Sequence, residues 1–131
     1  MIEIIKHEQL QLAIIIRRGY SANGIEFFTP PDYSQQLGIM RRPKNYKIPP
    51  HLHKPVSRLV SYTKEVLFIK YGKVEVDFYS EDKEFLKSTV LVDGDCILLA
   101  RGGHGFTMLE ESELIEVKQG PYAGDDDKER F

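Results

Sequence analysis

Three of the four histidines lie in two short segments whose residue types suit the binding of a metal ion. His51 and His53 stand two residues apart in an extended context, so both imidazoles leave the same face of the chain. Neutral imidazole nitrogen is a good ligand for divalent zinc, iron, nickel or manganese. The pair therefore either binds a divalent cation or is simply exposed to solvent on a loop.

Two further residues offer ligand atoms later in the chain. Glu65 begins an otherwise apolar run, and an unpaired carboxylate is costly to bury. It either marks the solvated start of a strand or serves as a ligand. His104 stands among three glycines, which allow sharp turns and close approach of the backbone, and it is either a turn residue or a third imidazole ligand.

Three other polar residues are candidates for holding or converting a small molecule. Arg58 can hold an anionic substrate by a bidentate contact, unless it is a plain surface arginine. Tyr122 and Gln119 end the last apolar run. By strict alternation Gln119 shares a face with Ile115 and Val117, which predicts that it faces the interior of the domain.

Short β-strands must position these residues, because nearly every apolar run is brief and rich in β-branched or aromatic residues. Turn residues separate the runs at fairly regular spacing, a pattern typical of a sandwich or barrel. No helix is required, although a short one near residues 7–11 is compatible with the sequence. The predicted strands are 12–16, 25–29, 35–42, 65–70, 74–79, 86–92, 96–99, 106–109 and 113–118.

The turn signals predict that six of these strands pair as three hairpins. The first joins 65–70 to 74–79, whose second strand alternates between apolar and polar residues. The second joins 86–92 to 96–99 across an Asp-Gly turn, in which glycine supplies a positive φ. The third and last hairpin joins strands 106–109 and 113–118.

The chemistry-bearing residues resemble the two sequence motifs of the cupin superfamily over roughly residues 38–117. The first motif has a His-x-His pair, a later glutamate and a glycine that closes the next turn, and the second begins with glycine and ends with histidine. The matching residues are His51, His53, Glu65 and Gly72 in the first motif, and Gly94 and His104 in the second.

This resemblance implies a cupin-type double-stranded β-helix, a jelly-roll barrel that holds one metal ion through His51, His53, Glu65 and His104. Eleven residues separate His53 from Glu65, where cupins usually have three or four. Residues 54–64 are then an insertion near the site, or else Glu65 is not the ligand. In the second motif Ala100 replaces the common proline, and the histidine arrives one residue early.

Three functions are compatible with this resemblance. In the first, a divalent ion (iron, zinc, manganese or nickel) is bound, and Arg58 and Tyr122 orient an anionic or carbonyl-bearing small molecule. In the second, no metal is needed. Residues 50–54 are similar to a segment of cupins that isomerise nucleotide-linked keto-sugars, and these enzymes use histidine and tyrosine as acid and base. His51 or His53 is then the base. The third is a binding module without catalysis.

Length and composition exclude several other classes. The 131 residues suit one domain, 1–131, with a core over about 35–122 and a charged tail at 124–131. The tail is either a solvated end or a binding element, in which Phe131 docks on the body. A net charge of -2 argues against nucleic-acid binding. The longest apolar run, 12–16, is far shorter than the roughly 20 residues of a membrane-spanning helix.

Location and assembly can also be predicted. The single cysteine, Cys96, cannot form an intrachain disulfide and suits a reducing compartment, so we expect a cytoplasmic protein in which Cys96 is a small buried hydrophobe. An exposed strand edge and an apolar outer face at Val66 and Phe68 predict pairing of sheets between two subunits. The expected assembly is a homodimer.

Overall fold

The computed structural model describes all 131 residues of the chain. Strands are its main elements, and a 3₁₀ turn at Gly124–Asp127 is its one helical element. No helix in the structure could span a bilayer. The strands are β1 (Ile2–His7), β2 (Leu10–Ile16), β3 (Gly24–Phe27), β4 (Gly38–Arg41), β5 (Glu65–Tyr71), β6 (Lys73–Tyr79), β7 (Phe85–Val92), β8 (Cys96–Leu99), β9 (Gly103–Met108) and β10 (Glu113–Lys118).

These strands form three antiparallel sheets, which confirms the predicted all-β class. The largest has five strands in the order β1-β2-β8-β5-β10. A second sheet has the order β7-β6-β9, and β3 pairs with β4 apart from the others. The first strand, β1, was not predicted, and it pairs with β2 along almost its whole length.

The three predicted hairpins are wrong, because the two strands of each lie in different sheets. β5 pairs with β8 and β10, whereas β6 pairs with β7 and β9. In the same way β7 and β8 are separated, and so are β9 and β10. The hairpin that does form along this part of the chain joins β6 to β7 across residues 80–84.

The turn after β5 explains why the chain changes sheets there. Gly72 has a φ of +114°, and its N–H donates to Asp93 Oδ1 at 2.7 Å. The N–H of Lys73 donates to Ser112 Oγ at 3.0 Å. Two distant loops therefore hold this turn and direct the chain into the second sheet. As a result the buried side chains of β5 and β6 face each other across the core, instead of lying side by side on one surface.

The main core lies between the five-stranded and three-stranded sheets. Val74, Val76 and Phe78 of β6 are fully buried there, as the alternation in the sequence predicted, and Leu67 and Ile69 of β5 pack in the same cluster. A smaller apolar cluster covers the other face of the five-stranded sheet. β2 contributes to both clusters, which explains its uninterrupted run of apolar residues.

A buried carboxylate fixes the turn between β7 and β8. Asp95 is 1% exposed and accepts hydrogen bonds from the N–H groups of Arg18 and Val92, each at 2.9 Å. Arg17 Nη1 also donates to Asp95 Oδ2 at 2.9 Å, and Arg17 binds Glu3. These hydrogen bonds come from groups at the ends of two strands, β2 and β7, so Asp95 joins the N-terminal hairpin to the rest of the molecule.

The Cys96 thiol provides a test of core packing. Burial, and secondarily the negative charge of Asp95, raises the pKa of Cys96 to about 11. At pH 8 the native thiolate fraction is then about 100-fold below that of an ordinary thiol. We expect native protein to react with Ellman's reagent at least about 100-fold more slowly than the urea-unfolded chain. Similar rates in both states would contradict this burial.

Candidate functional site

A cavity of about 840 Å³ opens at one end of the two main sheets. Side chains from β5, β9 and β10 form its floor, and residues 61–63 and 126–131 contribute further walls. The lining mixes carboxylates, cations and aromatic rings. The volume of the cavity lies within the usual range for small-molecule sites, and its lining is more polar than is usual for them.

Glu65 and His104 meet inside this cavity from opposite sheets. Glu65 is the first residue of β5 and His104 is the second residue of β9. The Nε2 atom of His104 lies 2.8 Å from Glu65 Oε1, and the two side chains are 28% and 16% exposed. The hydrogen bond from His104, opposed by partial burial, lowers the pKa of Glu65 to about 2. Glu65 is therefore an ionised, partly buried carboxylate, and His104 belongs to a strand instead of a turn.

A second carboxyl group lies next to this pair and was not predicted. Glu116 of β10 lines the cavity, and its hydrogen bond with Glu65 raises the pKa of Glu116 and contributes to lowering that of Glu65. The face of β10 that carries Glu116 becomes clear once the structure shows which apolar residue of the strand is buried. Leu114 packs against the core, so Glu116 and Lys118 share the inner face.

The predicted inner face of β10 is consequently wrong. Ile115 and Val117 are more than half exposed on the outer surface. Gln119, which was placed with them, does not line the cavity, and its Nε2 donates to the carbonyl oxygen of Gly120 at 3.0 Å. The error arises because both faces of β10 carry apolar residues, so alternation alone cannot choose between them.

The structure places His51 and His53 together but apart from the cavity. Their ring centroids are 5.4 Å apart, and His51 Nδ1 lies 2.9 Å from the carbonyl oxygen of Pro49. Both are exposed on a segment without regular structure, and neither lines the cavity. Within the single chain no three His, Cys, Asp or Glu side chains converge as a metal site. The structure brings the four predicted ligands together as two separate pairs, His51 with His53 and Glu65 with His104. That all four bind one metal ion stays a prediction.

The other predicted substrate residues lie outside the cavity, which has cations of its own. Arg58 is exposed, and Tyr122 is 92% exposed. In their place Arg101 and Lys118 line the cavity. The Arg101 guanidinium stacks 3.7 Å from the centroid of Tyr62 and forms an ion pair with Glu81. Sequence reasoning missed both cations, because nothing in the local pattern distinguishes them from surface residues.

The C-terminal tail packs on the body and contributes a wall of the cavity, which is the second of the two roles left open for it by the sequence. The ring of Phe131 packs edge-on against Tyr79 with centroids 5.1 Å apart. Glu129 forms an ion pair with Lys83, and Asp127 accepts a hydrogen bond from Thr63. The tail therefore spans the cavity mouth from the end of β6 to the start of β5.

Comparison with known proteins does not identify the chain. No family model, curated protein or solved structure gives a significant match. The resemblance to cupins therefore rests on the motif residues, and the functional argument rests on the geometry of the cavity.

Proposed function

We propose that the chain is a cupin-type jelly-roll protein whose cavity binds one divalent metal ion and an anionic or carbonyl-bearing small molecule. The order of the strands supports this fold. Strands β10, β5 and β8 are neighbours in one sheet and face β9, β6 and β7 in the other. The chain passes from one sheet to the other after β5, β7, β8 and β9. Repeated crossing between two antiparallel sheets is a feature that jelly rolls share with other β-sandwiches.

The meeting of Glu65 with His104 carries the functional proposal. The two residues are 39 positions apart, and the sequence motifs select both of them as ligands. Carboxylate oxygen and imidazole nitrogen are both suitable donors for zinc, iron, manganese or nickel. The donor types in the cavity thus fit a divalent ion. With the ion bound, the chemistry supplied is Lewis-acid polarisation of a substrate oxygen.

Cations and rings at the cavity walls suit an anionic partner molecule. Lys118 and Arg101 offer positive charge on either side of the Glu65–His104 pair, and Arg101 is held in place by its stacking on Tyr62. The aromatic rings of Tyr79 and Phe106 add flat apolar surface. We assign anion binding to these groups in preference to Arg58.

We also propose a cytoplasmic location, because the one cysteine of the chain forms no disulfide.

A metal-independent isomerase is the second candidate, and the Glu65–Glu116 pair favours it. The pKa values of the two carboxyl groups move in opposite directions, with Glu65 lowered and Glu116 raised. Neighbouring carboxyl groups with separated pKa values are typical of paired acids and bases. In this reading an imidazole or carboxylate moves a proton α to a carbonyl of a nucleotide-linked sugar.

Elemental analysis separates the two candidates. Protein purified without a histidine tag or chelator is expected to contain about one divalent metal ion per chain, and His104→Ala and Glu65→Gln are expected to lose it. His7→Ala and Glu111→Gln are matched controls outside the cavity and should retain the metal.

The opposite result overturns the metal proposal. If the native chain holds no metal and gains none with iron, zinc, manganese or nickel, the isomerase candidate takes its place. Sugar nucleotides are then the molecules to screen by calorimetry. Under that candidate Glu65→Gln lowers the activity and changes to the catalytic histidine abolish it, in a protein that contains no metal.

A further inference from the structure

Residues 42–63, here called the arm, have no covering surface within their own chain. Every residue of the arm is exposed, and none belongs to a strand or helix. Its apolar side chains include Leu52, which is 80% exposed, and Leu59, which is 96% exposed. A segment of this length without regular structure is uncommon in a compact domain, and exposed apolar residues grouped on such a segment are a common feature of interaction sites.

Specific contacts between the arm and the body occur at the C-terminal end of the arm alone. Tyr62 stacks on Arg101, and Thr63 donates a hydrogen bond to Asp127. Between residues 47 and 61 no hydrogen bond, ion pair or ring contact reaches a residue outside the arm. The central part of the arm, which contains His51 and His53, is therefore free to pack elsewhere.

The outer edge of β9 offers a matching surface beside the cavity. β9 pairs with β6 along one edge, and no strand or loop of the chain hydrogen-bonds to the backbone along its other edge. Phe106 and Met108 leave apolar surface exposed there. An open edge of this kind pairs readily with an extended segment from another chain.

We propose that two copies of this chain exchange arms. The arm of one copy lies along the β9 edge of the other, so that His51 and His53 of one chain join Glu65 and His104 of its partner. A reciprocal exchange closes as a symmetric homodimer with two composite sites. The inference rests on the proposed metal site for the combined ligand set, whereas the exchange itself is testable without metal.

The occupant of the β9 edge is a second copy because the arm carries the side chains that the cavity lacks. Each cavity has one carboxylate and one imidazole as a pair, and each arm has two imidazoles side by side. Residues 54–64, fully extended, span at most about 36–40 Å, enough to reach a neighbouring subunit. Pro49 and Pro50 lack N–H donors and suit the outermost strand of a sheet.

A designed disulfide tests the exchange directly. In a Cys96→Ala background, Leu52→Cys and Gly105→Cys are introduced together, since a side chain at 105 meets no atom within 4 Å. Mild oxidation is expected to give a covalent dimer with a 52–105 cross-link in peptide mapping. The pair Leu52→Cys and Lys87→Cys, with its second cysteine on β7, is the control and should not cross-link.

Three other outcomes would overturn the exchange. A 52–105 disulfide within one chain means that the arm folds back on its own cavity, and no disulfide means that it does not reach β9. A monomeric mass by light scattering at micromolar concentration would also overturn it. A covalent dimer that binds no metal would preserve the exchange and refute the metal proposal, so the two failures are distinguishable.

Complementation of two variants tests the composite site. His51→Ala/His53→Ala is co-expressed with Glu65→Gln/His104→Ala, each with a different non-histidine tag, and the heterodimer is purified through both tags. Exchange gives one intact site per heterodimer, so we expect about half the wild-type metal content. If the four ligands come from one chain, the heterodimer binds none, because every chain then lacks two of them.

Discussion

Asp95→Ala is expected to lower the free energy of unfolding by about 3–5 kcal/mol, because the change leaves the backbone N–H groups of Arg18 and Val92 without their acceptor and removes one of the two carboxylates that bind Arg17. Asp95 is almost completely buried and accepts two backbone hydrogen bonds as well as one from Arg17. Buried donors that lose their acceptor pay the full cost of desolvation. Urea denaturation followed by circular dichroism measures the change.

Two further substitutions make this result interpretable. Asp95→Asn retains the shape of the side chain and one acceptor oxygen, so its loss should be smaller than that of the alanine variant. Asp82 lies on an exposed turn and its side chain forms no hydrogen bond or ion pair, so Asp82→Ala should change stability by no more than about 0.5 kcal/mol. Equal losses for Asp82→Ala and Asp95→Ala would refute the role of the buried network.

Gly72→Ala is expected to destabilise the protein by about 3 kcal/mol or more, because backbone strain at residue 72 and steric overlap of the new methyl group act together. The φ of +114° is rarely adopted by residues with a side chain. An added methyl group would also lie 2.6 Å from the Cα atom of Ser112, so backbone must move to admit it. Because this turn carries the chain from β5 to β6, we expect both sheets to separate at this end.

Gly19→Ala is the matched control for that prediction. Gly19 has no positive φ, and a side chain there meets no atom within 4 Å. Its substitution should leave the denaturation midpoint within experimental error of wild type, or raise it slightly. A Gly72→Ala protein as stable as Gly19→Ala would show that the loops around residue 72 readily adjust.

Every strand except β1 could be predicted from sequence, whereas the pairing of the strands could not. The alternation of Val74, Val76 and Phe78 identifies the buried face of β6 correctly. Hairpin prediction relies on local turn residues, and a glycine that reverses the chain within a sheet looks the same as one that transfers it between sheets. At Gly72 the decision depends on Asp93 and Ser112, which are distant in the sequence.

The candidate site shows the same division between local and distant information. Residue type and spacing were enough to select Glu65 and His104, which the structure brings into contact. Glu116 was missed because its significance depends on the register between β10 and β5. The position of His51 and His53 depends on the path of the arm, which no local pattern specifies.

Strand β2 is buried on both of its faces, and this has a consequence for how the molecule folds. Leu12–Ile16 form an uncharged run of high β-propensity, and their partner β8 lies far along the chain, with Ala13 opposite Leu99. Contacts between such distant residues form slowly. Until β8 arrives, the hairpin of β1 and β2 leaves this run without cover, in a state that favours association between incomplete chains. The strand that contributes most to the native core is therefore also the main aggregation hazard while the protein folds.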